Sequence, residues 1–286
     1  MLKTASILGS GIMGCDLALL FARHGWQTVV WHRSDAEIAR TRWQHRITEY
    51  ISRGILAPDE EEPLVQRTGF TVSLQRAASA DWILETVAEV AAIKRDLLVS
   101  LNHHRLPDSI LASNTSSVDL ESLSSGLRES DSFLGVHFFN PVLRMSLVEV
   151  APVKRTAPAS VQRVEQWLVA MGKEPVRVQA QAGLVVNRLM AGFVVQAFNL
   201  WEEGVASPAD IDRLSAGVLG HPLGPLALAD FIGLDVLEAI LGNLSEALSD
   251  PTLSPPKSLK RLVQQKRLGR KTGVGVFEYP RKSDPQ

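Results

Sequence analysis

The run "ILGSGIMG", Ile7 to Gly14, restricts what this chain can fold into more than any other stretch. Gly9, Gly11 and Gly14 form a G-x-G-x-x-G pattern. The β-prone segment "TASIL" leads in and the helical pattern "MGCDLALLFARHG" leads out, the strand–turn–helix setting in which the pattern carries meaning. There the first glycine permits a tight turn, the second lets the backbone approach a pyrophosphate, and the third lets helix and strand pack closely. Free N–H groups and the dipole at the helix N-terminus favour an anion. The backbone at Gly9, Gly11, Ile12, Met13 and Gly14 is therefore the expected phosphate cradle of a dinucleotide. Without a ligand the same run is only a glycine-rich turn. Cys15, opening the helix, reads as a small residue packed beneath the loop.

Apolar β-prone runs alternate with helical patterns through the first ~180 residues, the rhythm of βαβ units and a parallel sheet. "QTVVWH", "FTVSL", "ADWILETV", "SILASN", "FLGVHFF", "SLVEVAP" and "EPVRVQA" read as strands. "DAEIARTRWQHRITEYISRGI" and "ASVQRVEQWLVAMG" read as helices, and "APDEEEP" reads as an acidic turn. From Gly183 onward "GLVVNRLMAGFVVQAFNLWEEG", "SPADIDRLSAGVLG", "GPLALADFIGLDVLEAILGNLSEAL" and "PPKSLKRLVQQKRLG" look helical throughout, with no strand signal before "GVGVFEY". The expected architecture is α/β. A Rossmann-type, doubly wound, mostly parallel sheet that binds NAD(P) is expected over residues 1–182, followed by a smaller all-helical domain over 183–286.

The end of the second strand decides which cofactor is favoured. A dinucleotide fold usually places an acid there to hold the ribose hydroxyls. Here "TVVWHRSD" puts His32, Arg33 and Ser34 in that place. A 2′-phosphate is repelled by a carboxylate and attracted by a guanidinium, with a hydroxyl as a further donor. NADP is thus favoured over NAD. The alternative leaves Arg33 as a solvated charge and lets Asp35 or the backbone take the ribose.

Composition narrows the remaining classes. Thirty basic residues against 31 acidic ones give a formal net charge of −1, which offers no nucleic-acid footprint and no polybasic membrane anchor. No apolar run approaches the ~18–20 residues of a membrane span, and the N-terminus lacks the long apolar stretch of a secretory signal. Cys15 is the single cysteine, so an internal disulfide is excluded, and a reducing, cytoplasmic location is expected. No His/Cys cluster has metal-ligand spacing.

"ASNTSS", "HFFNP", "LVEV", "VVNRL", "GHPLGPLALADFIGLD" and "RLGRKTGVGVFEY" follow the glycine loop in order. With these motifs nearly the whole chain resembles the 3-hydroxyacyl-CoA dehydrogenase family, which includes the 3-hydroxybutyryl-CoA dehydrogenases. The resemblance implies hydride transfer between a nicotinamide and the 3-hydroxy or 3-oxo carbon of an acyl thioester. It assigns His137 as the acid/base, Glu149 as its partner, Ser116 as a donor to the substrate oxygen, and Asn187 as the residue completing the site. It also places Glu89, Lys94 and Asn114 on the cofactor side, with Glu85 nearby; a solvated helix face is the other reading of Lys94.

The chemistry requires such groups. Histidine titrates near neutrality and suits proton transfer, a carboxylate on its other ring nitrogen fixes the tautomer, and uncharged donors stabilise charge developing on oxygen. Taken alone, His137 beside Phe138 and Phe139 reads as a core histidine. Its appearance with Glu149, Ser116 and Asn187 inside matching motifs changes that reading.

The match departs from the family's pattern at His32, at Leu143, Arg144 and Ser146, and in the lysine-poor "ITEYISRGIL", where Arg46 and Arg53 remain to face carrier phosphates. The substrate handle can then be CoA, an acyl carrier protein, or absent, as in relatives acting on sugar acids or carnitine. A non-catalytic cofactor-binding protein is a further alternative. A homodimer is expected.

Overall fold

A computed structural model describes residues 3–128 and 130–280. By internal contacts the chain divides into two compact units, Met1–Leu184 and Val185–Gln286.

The first unit holds strands β1 (Thr4–Leu8), β2 (Gln27–Trp31), β3 (Thr68–Thr71), β4 (Trp82–Glu85), β5 (Ile110–Ser113), β6 (Phe133–Phe138), β7 (Leu147–Pro152) and β8 (Glu174–Arg177). Its helices are α1 (Ile12–Arg23), α2 (Ala36–Ser52), α3 (Glu61–Arg67), α4 (Leu74–Ala78), α5 (Ala91–Asn102), α6 (Leu120–Ser124) and α7 (Pro158–Ala170). The strands form one sheet in the order β3-β2-β1-β4-β5-β6-β7-β8. Every neighbouring pair is parallel except β6–β7. The fold is thus the expected mostly parallel, doubly wound sheet.

The one antiparallel pair has a simple cause. A parallel crossover needs a dozen or more residues, usually a helix. The connection between Phe138 and Leu147 is shorter than that and contains only turns. Lys173 pins it: the buried ammonium donates to the carbonyls of Val142 at 2.7 Å and Met145 at 2.8 Å.

Both faces of the sheet are covered, which explains why its central strands read as continuous apolar runs. All four residues of β4 and of β5 and all six of β6 are buried. Phe21, Trp26, Trp82 and Trp167 pack on one face with ring centroids 5.0–6.0 Å apart. Gly135 is the tight point on β6, because a Cβ there would meet the Leu120 side chain at 2.5 Å.

Three expected elements are adjusted. "FTVSL" is displaced, since β3 starts at Thr68 and Leu74 already belongs to α4, whose N-cap Ser73 accepts the Arg76 N–H at 3.2 Å. The acidic "APDEEEP" turn winds into a short 3₁₀ helix and then α3.

"GVGVFEY" is the third. It forms isolated bridges, Gly269 to Val274 and Val274 to Glu278, rather than a strand. Asp230 takes its backbone instead, accepting the Val276 and Phe277 N–H groups at 2.9 Å each.

The second unit consists of α8 (Val186–Glu202), α9 (Pro208–Leu219), α10 (Pro225–Ile232), α11 (Leu234–Ala247) and α12 (Lys257–Gln264). Gly233, at φ 101°, separates α10 from α11 where the sequence pattern ran on without a break. Among the described residues no helix is long and apolar enough to cross a membrane.

Candidate active site

The strand order reverses between β1 and β4, and in open α/β sheets ligands bind beyond the carboxyl ends of the strands at such a switch point. A cavity of about 610 Å³ opens there, lined by Gly9 to Met13, Trp31, His32, Arg33, Arg42, Thr86, Val87, Ala88, Ile93 and Leu97.

The glycine loop fits a dinucleotide. Gly9 has φ +122°, and a Cβ on it would lie 2.9 Å from the Thr86 carbonyl oxygen. A Cβ on Gly14 would lie 2.0 Å from the Gly9 carbonyl oxygen, so only a bare Cα lets α1 seat against the turn. The first turn of α1 has neither a side-chain cap nor an acid. Its N–H groups thus face the loop mouth without an internal anion. The hydroxyls of Ser10 and Thr86 are buried with no partner. Cys15 packs beneath, as expected: burial and the adjacent Asp16 push its thiol up to about 12, the opposite of a reactive thiolate.

At the adenosine end Arg33 and Ser34 are exposed, and the lining contains no carboxylate. Asp35 is spent as the N-cap of α2, accepting the Glu37 N–H at 2.8 Å. Arg42 joins the lining although its sequence position gave no motif signal. It lies about two turns along α2 from that cap, on the same helical face.

On the far side of the switch point, β6 and β7 pair with His137 directly opposite Glu149. Side chains opposite each other on an antiparallel pair share a face, with Cβ atoms ~5 Å apart. The buried His137 Nδ1 meets Glu149 Oε2 at 2.7 Å, which leaves Nε2 for proton transfer. The Phe139 ring packs edge-on at 4.7 Å between centroids.

Asn114 ties this strand end to its neighbours. Its Oδ1 accepts the Phe138 N–H at 2.8 Å and its own N–H donates to the Glu85 carbonyl at 2.8 Å.

The Ser116 turn is held by Glu89. One oxygen of that carboxylate accepts the Thr115 hydroxyl at 2.5 Å, the Ser116 and Ser117 N–H groups at 2.9 Å each, and the Ser117 hydroxyl at 3.1 Å. The other oxygen lies 3.0 Å from Lys94 Nζ. Burial alone would push the Glu89 carboxyl up; Lys94, Thr115 and the Ser117 N–H outweigh it and bring it down to about 2.

Lys94 is 1% exposed and also donates to Glu85 Oε1 at 2.8 Å, which corrects the solvated-face reading. Burial would lower the Lys94 ammonium, but the two carboxylates outweigh it and raise it. Glu85 accepts the Ser113 hydroxyl at 2.5 Å and the Val87 N–H at 2.6 Å as well. Thr115 and Ser117 were not singled out in the sequence, and only the turn-like "SNTSS" hinted at them.

Asn187 stands on the first turn of α8, in the second unit. Arg46 and Arg53, expected to face carrier phosphates, are ion-paired. Arg46 donates to the buried Asp16 at 2.8 and 2.9 Å and meets Glu49, and Arg53 pairs with Glu49 at 2.6 Å.

Residues 4–181 match the 3-hydroxyacyl-CoA dehydrogenase NAD binding domain, and residues 183–279 match the C-terminal domain of the same family. The chain belongs to the 3-hydroxyacyl-CoA dehydrogenase family. It is 35% identical over 275 residues to a probable 3-hydroxybutyryl-CoA dehydrogenase of Deinococcus radiodurans, covering 96% of this chain and 99% of that one. A 3-hydroxybutyryl-CoA dehydrogenase of Mycobacterium tuberculosis is 32% identical over 282 residues, covering 97% and 99%. The crystal structure of (S)-3-hydroxybutyryl-CoA dehydrogenase from Ralstonia eutropha superposes with a TM-score of 0.90 at 32% identity, covering 98% of this chain and 100% of that one. Membership brings NAD(H) binding to the first unit.

Proposed function

We propose that this protein reversibly oxidises the 3-hydroxy group of an acyl thioester to a 3-oxo group, with NADP favoured as the acceptor. The observation that carries the reading is the His137–Glu149 contact at 2.7 Å. It gives an imidazole with one nitrogen anchored and the other turned to work. His137 Nε2 takes the proton of the substrate hydroxyl as the C3–O bond gains double-bond character, and returns it in the reverse direction. Glu149 keeps the ring in the required tautomer and balances the imidazolium that forms. Ser116 donates to the substrate oxygen. The chemistry supplied by the cofactor when bound is acceptance of the hydride from C3.

The carboxylate-free lining around Arg33 and Arg42 supports the NADP preference. The pairing of Arg46 and Arg53 with acids favours a second reading, in which the substrate is a hydroxy acid without a phosphorylated carrier. An acyl-carrier-protein thioester stands between these two. A homodimer in a reducing, cytoplasmic compartment is the assembly proposed, and the single cysteine bears on the compartment alone.

A substrate panel with both cofactors, read by nicotinamide absorbance, tests the assignment. Turnover of 3-hydroxyacyl thioesters that falls ~10²–10⁴-fold in His137→Gln, with reduced-cofactor binding intact, is the expected result. Undiminished turnover in that variant would remove His137 from the chemistry. Cofactor binding without turnover on any hydroxy compound would favour a binding protein.

A further inference from the structure

We propose that His32 is a specificity-determining residue for the adenosine end of the cofactor, acting as an uncharged acceptor that closes the turn carrying Arg33. The inference rests on the NADP reading and assigns a part of it to one ring nitrogen.

His32 follows the last residue of β2, and its backbone N–H still donates to the Thr71 carbonyl at 3.0 Å. The chain must then reverse into α2. His32 Nδ1 accepts the N–H of Ser34 at 3.3 Å and that of Asp35 at 3.1 Å. Both partners are backbone donors, so this nitrogen accepts with its lone pair and the ring hydrogen lies on Nε2. Acceptance from residues two and three positions on is the geometry by which Asp and Asn side chains close turns. The imidazole performs that task at a position where a carboxylate would perform it equally well.

The two choices differ in charge. A 2′-phosphate carries about −1.5 to −2 charges near neutral pH. A carboxylate at position 32 would oppose it at short range, whereas the neutral ring does not. The other acids of this turn are engaged: Asp35 caps α2, and Glu37 accepts Arg40 Nε at 3.2 Å. Trp31, His32, Arg33 and Arg42 therefore present the cavity with two guanidinium groups and no anion. Closing the turn also limits the backbone freedom of Arg33, so its charge is held beside the cavity.

Binding titrations of NADPH and NADH, followed by fluorescence, test this with three variants. His32→Asn keeps a neutral acceptor and is expected to leave the NADPH-to-NADH affinity ratio near that of the wild type. His32→Asp keeps the turn but adds charge, and is expected to move the ratio ~10-fold or more towards NADH. His32→Leu removes the acceptor and should weaken NADPH without a gain for NADH. Thermal melts of the Asn and Asp variants confirm that the matched pair is folded. Equal ratios in those two variants overturn the inference whatever the wild type prefers. His32→Leu binding both cofactors as the wild type does would also overturn it. Tighter binding of NADH by the wild type overturns the NADP reading alone.

Discussion

Glu89 receives four hydrogen bonds from the Ser116 turn and an ammonium from α5, and this concentration of donors has a consequence for acid stability. The folded state holds its carboxyl at about 2, below the ordinary value of 4.5. A carboxyl lowered on folding stabilises the protein fully above its unfolded value and loses that contribution as pH falls through the folded one. The melting temperature should therefore decline between about pH 5 and pH 2, and Glu89→Gln should flatten that decline, as thermal melts across the range would show. An equally steep decline in the variant would mean that other carboxyls govern acid unfolding. Glu85 tends the other way: burial pushes its carboxyl up against the pull of Lys94, Ser113 and the Val87 N–H. Lys94 belongs to this network as a buried counter-ion linking the loop at the cofactor cavity to the turn that presents Ser116.

At the scale of elements, one short connection determines the site. The segment after Phe138 is too brief for a helical crossover, so β7 runs back along β6 and brings Glu149 opposite His137. The junction of β1 with α1 is equally constrained, but its glycines serve different ends. A Cβ at Gly14 would press into the Gly9 carbonyl, while one at Gly11 meets nothing within 4 Å. Gly14→Ala should destabilise the cofactor-free protein by ~1–3 kcal/mol, the usual cost of overpacking. Gly11→Ala should leave the cofactor-free melting temperature unchanged yet weaken binding, because its open side is where a pyrophosphate approaches. Denaturant titration beside cofactor titration separates the two. Equal destabilisation by both variants would refute the distinction.

For the whole molecule, the second unit leaves large apolar side chains uncovered. Leu189 is 71% exposed on α8, Val218 75% on α9 and Phe231 53% on α10. Scattered single residues of this kind are ordinary on a monomer, whereas a contiguous apolar patch marks an interface. If a second copy covers them, the wild type elutes as a dimer in size-exclusion chromatography with light scattering. Leu189→Glu with Val218→Glu should then shift it to a monomer. A monomeric wild type would leave these residues unexplained by self-association.

The glycine spacing and the alternation of apolar runs determined the class of fold, because such features depend only on neighbours along the chain, while His137, Glu149, Ser116 and Asn187 became candidates through the family resemblance that the motifs carry. Local pattern also revealed that position 32 lacks an acid. Tertiary structure alone decided what those residues touch. Lys94 read either as a cofactor contact or as a solvated cation because its helix pattern says nothing of Glu85 and Glu89 beneath it, and Arg46 looked available because Asp16 lies on another helix. His32 read as a missing charge until its ring was seen accepting the backbone of its own turn. The physical reason is the same for Lys94 and Arg46: a buried charge finds its partner by distance in space, which spacing in sequence does not encode, whereas His32 closes its turn on residues two and three positions on.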